Sequence, residues 1–151
     1  MRYSAVAYRL PLPLRGHILH FETELAAAVE QFAHALPEGA RVLDAGAGEG
    51  QYARSFARQR YCGVDLAVGD STWDYTRLDV LADLGALPFR DATFAAAVNL
   101  VTLEHLREPA AALAEIARTL APGGLLLLAA PHEWEVHQAS HDYFRYTGFG
   151  L

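Results

Sequence analysis

Residues 41–50, Arg41-Val42-Leu43-Asp44-Ala45-Gly46-Ala47-Gly48-Glu49-Gly50, constrain this chain more than any other segment. A short apolar run closed by an aspartate and followed at once by three alternating glycines reads as a buried strand ending in a sharp turn. Glycine lets the backbone turn with no Cβ in the way, so such a loop can press against a bound molecule. Beyond the loop, helical and extended patterns alternate. Gln51 to Gln59 reads as a helix, Tyr61 to Asp65 as a second strand and Tyr75 to Asp79 as a weaker third. Phe94 to Leu100 reads as a fourth strand, Ala110 to Leu120 as a helix, and Leu125 to Ala130 as a fifth strand after the turn Ala121-Pro122-Gly123-Gly124. Ahead of the loop, residues 18–36 repeat apolar positions at helical spacing until Pro37-Glu38-Gly39 stops them.

Strands apolar on both faces and alternating with helices predict an α/β domain: a doubly wound, mostly parallel sheet with helices on both faces, Rossmann-like in plan. The 151 residues suit one domain, residues 1–151, made of an N-terminal helix 18–36, a ligand-binding core 40–131 and a loop 132–151 rich in histidine and aromatic residues. With 52% hydrophobic and 20% charged residues, the chain falls outside the disordered class. Its longest apolar stretch, Leu125 to Pro131, is far below the ~20 residues of a membrane span. The start Met1-Arg2-Tyr3-Ser4 lacks a basic stretch leading into an apolar core, so the expected location is the cytoplasm. A net charge of −6 disfavours nucleic acid as the main partner. Cys62 is the single cysteine, which excludes an internal disulfide.

In open parallel sheets a ligand sits at the carboxyl ends of the strands. A dinucleotide fingerprint spaces its glycines G-x-G-x-x-G, but here Gln51 occupies the third position and Gly50 comes one place early. Asp44 and Glu49 at the loop would repel a pyrophosphate. They suit a phosphate-free ligand bearing an ammonium and a sulfonium, which points to S-adenosylmethionine. Asp65 closes the second strand, where a carboxylate accepts from both ribose hydroxyls. Asp79 closes the expected third strand, where an adenine amino group would find an acceptor.

At these residues the chain resembles the class I S-adenosylmethionine-dependent methyltransferases, in the branch called methyltransferase type 11. The matching segments are residues 42–50, Gly63-Val64-Asp65, Leu78-Asp79-Val80 leading to Leu87-Pro88-Phe89, Leu103-Glu104-His105-Leu106, and Glu115 to Gly124. The resemblance implies that Asp44, Gly46 and Gly48 cradle the methionine part of the cofactor and that Asp65, with Leu66 beside it, holds the ribose. It also implies that Asp79 and the backbone of Val80 hold adenine, and that Asn99 lies beside the cofactor. Two departures stand out. The run from Asp65 to Asp79 is short for the family, leaving a loop with Trp73 as a candidate cover. The antiparallel C-terminal hairpin of the family is missing, so the fifth strand would be an exposed edge; a further C-terminal segment or a homodimer partner is expected to cover it.

Methyl transfer asks a protein mainly for alignment and exclusion of water, with a general base optional. Candidates follow strand four (Glu104, His105) and strand five (His132, Glu133, His137, His141, Asp142, Tyr143, Arg145, Tyr146). His105, His132 and Tyr143 are taken as the catalytic candidates, with a small-molecule acceptor. His132-Glu133-Trp134-Glu135-Val136-His137 imitates the H-E-x-x-H zinc motif with one residue too many, and no metal is expected. His17, His20 and His34 read as surface residues of the first helix. Two rivals remain: a cofactor-binding module without catalysis that acts through a partner, and a nicotinamide-dependent oxidoreductase.

Overall fold

The computed structural model describes residues 20–69, 71–133 and 140–151. Helix α1 (His20–Ala35) leads into β1 (Arg41–Ala45), β2 (Arg60–Asp65), β3 (Val80–Leu81) and β4 (Phe94–Leu100). A single 3₁₀ turn (Leu103–His105), helix α2 (Pro109–Thr119) and β5 (Leu120–Ala129) complete the order. All the strand pairs are parallel, in the order β3-β2-β1-β4-β5. Strand order reverses between β1 and β4, so the carboxyl ends of these two strands flank the crevice in which an open sheet binds its ligand.

Apolar side chains pack on both faces of the sheet. On one face Leu25, Val29 and Ala33 of α1 recur every fourth residue and bury against Val42, Ala96, Val98 and Leu100. On the other, Ala112 and Ile116 of α2 pack on Leu43, Ala45, Val64 and Ala97. Two core layers therefore clamp the central strands. Pro109 starts α2, where a missing N–H is harmless, and Arg118 ties the helix to the loop before β4. Its guanidinium donates to both Glu115 oxygens, to Asp91 Oδ1 and to the carbonyls of Phe89 and Leu87, all between 2.7 and 3.0 Å.

Three local expectations need correction. Gln51 to Gln59 is not an α-helix but a run of turns closed by i→i−3 bonds, such as Ser55 N to Tyr52 O (3.0 Å) and Gln59 N to Phe56 O (2.9 Å). The segment is short for self-sustaining helix, and its end is fixed from outside: Arg58 O accepts from Gly39 N, and Gln59 Nε2 reaches the carbonyls of Ala33 and Leu36. The third strand is Val80–Leu81 rather than Tyr75 to Asp79, pairing Val64 with Val80 and Asp65 with Leu81. The fifth strand starts at Leu120, because Phe94 pairs with Leu120 and Ala96 with Leu125, leaving 121–124 as a bulge turned at Gly123. His17, the start of the first helix at 18–19, and the 134–139 stretch that contains His137 lie outside the described residues.

Among the described residues β5 is an edge of the sheet. None of its ten residues is buried, and Leu125 and Leu126, on opposite faces, are 52% and 38% exposed. No described helix is long and apolar enough to cross a membrane.

Candidate active site

A cavity of about 860 Å³ opens at the carboxyl ends of the strands, a size that suits a nucleoside ligand. Its floor is the glycine loop. Gly46, Gly48 and Gly50 all have positive φ, and the N–H groups of Gly46 and Ala47 both donate to Val64 O (2.8 and 3.0 Å), which folds the loop back over β2. A Cβ on Gly46 would overlap Thr102 Cγ2 and lie 2.5 Å from its Oγ1, so the loop packs against the β4 turn with no room for a side chain. Thr102 Oγ1 donates toward Gly46 O and Leu100 O (3.2 and 3.1 Å), and Asn99 Nδ2 donates to Ala45 O (2.7 Å). The loop is therefore pinned from β4 as well as from β2.

Asp65 is the carboxylate on the floor. Its Oδ2 accepts from Gly48 N (2.9 Å) and its Oδ1 from Ala67 N (2.8 Å). Each oxygen keeps a further lone pair for a ligand hydroxyl. Gly46, Gly48 and Leu66 line the same space, and Trp73 covers Gly48 from the loop after β2, its ring 3.6 Å from where a Cβ would stand. That loop is held by Glu49 Oε1, which accepts from Asp74 N (3.0 Å), and by Gly69 N donating to the Tyr75 hydroxyl (2.9 Å).

Four of the expected cofactor residues stand elsewhere. Asp44 shares the alternation of Val42 and faces the α1 layer, only 2% exposed, where the Tyr61 hydroxyl donates to its Oδ2 (2.7 Å). Burial pushes its carboxyl up to about 6, against the pull of the Tyr61 hydrogen bond and with a further push from Asp65. Asn99 is fully buried and is not among the residues that line the cavity. Asp79 precedes β3, and its Oδ2 accepts from Gly63 N (2.8 Å); neither it nor Val80 lines the cavity. The carboxylate that follows β3 into the cavity is Asp83, whose Oδ1 caps its own turn by accepting from Gly85 N (2.8 Å). Sequence reading missed it by ending the strand at Asp79. The apolar pair Val80-Leu81 and the turn signal Asp83-Leu84-Gly85 were the available clue.

The opposite wall comes from the 3₁₀ turn and the segment 140–146. Tyr143 N and Phe144 N donate to Glu104 O (2.9 and 3.3 Å), so this segment is strapped across the turn. His105 Nδ1 lies 2.5 Å from His141 O, and since a carbonyl only accepts, Nδ1 carries the proton. Its Nε2 is 3.7 Å from Oε1 of the fully buried Glu104. Arg145 pairs bidentately with the buried carboxylate of Asp142 (2.5 and 2.8 Å), and that contact, before the Glu104 charge, raises its pKa. His105, His141 and Tyr143 line the cavity; His132 does not, being bonded through Nδ1 to Tyr146 O (3.0 Å). Among the described residues no cluster of three or more His, Cys, Asp or Glu side chains could hold a metal.

The parallel order, the glycine floor and the carboxylate after β2 define an α/β domain with a ligand-sized cavity at the carboxyl ends of its strands. The methyltransferase-domain family matches residues 17–148, and the chain belongs to it. It is 36% identical over 100 residues to a protein of Mycolicibacterium smegmatis designated a probable S-adenosylmethionine-dependent methyltransferase, covering 62% of this chain and 39% of that one. It is 27% identical over 144 residues to the malonyl-[acyl-carrier protein] O-methyltransferase of Erwinia pyrifoliae, covering 91% and 55%. The [4+2]-cyclase SpnF shares the fold at a TM-score of 0.57 and 31% identity, over 70% of this chain and 43% of that one. The chain thus spans well under two-thirds of each of these proteins.

Proposed function

We propose that this chain binds S-adenosylmethionine and directs transfer of its methyl group to a small-molecule acceptor. The observation that carries this reading is Asp65 on the cavity floor. Its two oxygens are oriented by the backbone of the glycine loop and of its own strand end, each with a lone pair in hand. The glycine floor suits the methionine part, Asp65 with Leu66 the ribose, and Asp83, in place of Asp79 and Val80, the adenine amino group. When bound, S-adenosylmethionine supplies an electrophilic methyl carbon on a sulfonium. The chain's part is to align the acceptor behind that carbon and keep water out, worth up to ~7–11 kcal/mol when the reacting atoms are held in line. Where the acceptor must lose a proton, His105 is the candidate base: its ring lines the cavity with Nδ1 fixed by His141 O, and its Nε2, buried beside Glu104, must turn outward to receive the proton. Tyr143 completes the wall. A cytoplasmic setting fits this chemistry.

The test is calorimetric titration with S-adenosylhomocysteine together with transfer of a labelled methyl group to a metabolite pool. Asp65→Ala is expected to weaken binding at least ~100-fold, since two charge-assisted hydrogen bonds are lost. Affinity unchanged in that variant would end the reading.

One observation favours a second reading, cofactor binding without methyl transfer: a solved relative at 31% identity is a cyclase by name. Tight binding with no labelled product from any pool would select it. For the open β5 edge we propose a cover by further sequence or a second copy. The chain is expected to associate with rising concentration in light scattering, and Leu126→Lys, which places a charge on that edge, to suppress it; association unaffected by the lysine would move the contact elsewhere.

A further inference from the structure

Most charged side chains that line the cavity are carboxylates: Glu49, Asp65 and Asp83, with Glu22 of α1 and Glu108 just before α2. Against them stands Arg107, the only Arg or Lys side chain that lines the cavity among the described residues. It is held rather than free to wander. Its Nε donates to the Tyr143 hydroxyl (3.0 Å) and its guanidinium carbon lies 5.6 Å from the centre of that ring. No described carboxylate forms an ion pair with it, Glu108 beside it in the cavity lining included, and Asp142 is paired with Arg145. The guanidinium therefore presents Nη donors that no described residue uses. The Tyr143 hydroxyl, having accepted from Nε, keeps its own hydrogen to donate.

From this we infer the class of the acceptor: an acidic small molecule whose carboxylate is bound by Arg107 Nη and the Tyr143 hydroxyl. The inference rests on the methyl-transfer reading of the same cavity and adds the chemistry of the second ligand. A planar fork of N–H donors matches a carboxylate in two parallel hydrogen bonds, which a neutral amide cannot reproduce. The carboxylate serves as an anchor while another atom of the acceptor faces the methyl group.

The test uses the whole chain saturated with S-adenosylhomocysteine and titrated with benzoate, cinnamate and octanoate, each against its primary amide. The acids are expected to bind at least ~tenfold tighter than their amides, a modest figure because Arg107 is at the mouth and partly screened. Arg107→Gln should erase that preference, Tyr143→Phe should reduce it, and Arg90→Gln, away from the cavity, should leave it intact. Melting curves and S-adenosylhomocysteine affinity of the variants should match the parent. Acids and amides binding alike, a preference that survives Arg107→Gln, or no acid binding at all would overturn the inference while leaving the cofactor reading standing. Failure of the parent chain to bind S-adenosylhomocysteine would instead strike the methyl-transfer reading, and this inference would fall with it.

Discussion

Replacing Gly46 with alanine is expected to abolish binding of S-adenosylhomocysteine and to lower stability by about 2–6 kcal/mol. Two independent effects add. A new methyl group would lie 2.5 Å from Thr102 Oγ1 and closer still to Cγ2, so either the loop or the β4 turn must move, an overpacking cost of about 1–3 kcal/mol. The φ of +90° is in addition a conformation that alanine adopts only under strain, about 1–3 kcal/mol more. Gly48 provides the contrast, with a φ of +54° and the nearest atom 3.6 Å away on Trp73. Gly48→Ala should therefore cost only about 1–2 kcal/mol, the usual left-handed penalty. Urea unfolding of both variants checks the order, and trimming the obstacle with Thr102→Ala in the Gly46→Ala background should recover part of the packing share, since the Thr102 Cβ still stands 2.8 Å from the new methyl, and none of the backbone share. Equal effects at the two glycines would mean that Gly46 does not pack against Thr102.

The second large effect concerns Asp44. Its folded pKa, near 6, is above the ordinary carboxyl value of 3.8, so the folded state holds the proton more tightly than the unfolded chain does. Stability from this group is present in full below pH 4 and is lost as pH rises through 6, about 3 kcal/mol for a carboxyl raised this far. Asp44→Asn keeps an acceptor for the Tyr61 hydroxyl and carries no charge to bury. Relative to the parent, this variant should gain about 3 kcal/mol between pH 4 and pH 7 and be the more stable protein at neutral pH, as read by chemical unfolding at a series of pH values. A difference that stays flat across that window would show that Asp44 is ionised at no cost. A cationic ligand on the glycine floor would favour the charged carboxylate, so binding near pH 6 should release protons in the parent and not in the variant.

Much of the fold was legible because periodicity and burial point the same way in this chain. Val42, Leu43 and the run Phe94 to Leu100 are apolar on both sides, and both are strands between two packed layers. The misses have a common cause. Where a segment is fixed by bonds to distant parts, local pattern says little: Gln59 is held by carbonyls of α1 and its exit, and the Gln51 to Gln59 run does not close into a helix. Of the residues named from the sequence, Gly46, Gly48, Asp65, Leu66, His105 and Tyr143 line the cavity. Asp44 does not, because the alternation that buries Val42 buries Asp44 with it. Neither Asp83 nor Arg107 was legible, since one depends on where a two-residue strand stops and the other on a tyrosine 36 residues away.

The succession of turns from Gln51 to Gln59 bears on how a ligand leaves. In a helix each residue rests on bonds from both neighbouring turns and the whole tends to melt together, whereas bonds that close single turns break one by one. The segment is covalently continuous with the glycine floor at Gly50. Brief local fraying there is expected to slacken one wall while the strands beneath keep their hydrogen bonds, so amide hydrogens of Ala53, Ser55 and Ala57 should exchange faster than those of β1 and β4 and ligand exchange should not require global unfolding.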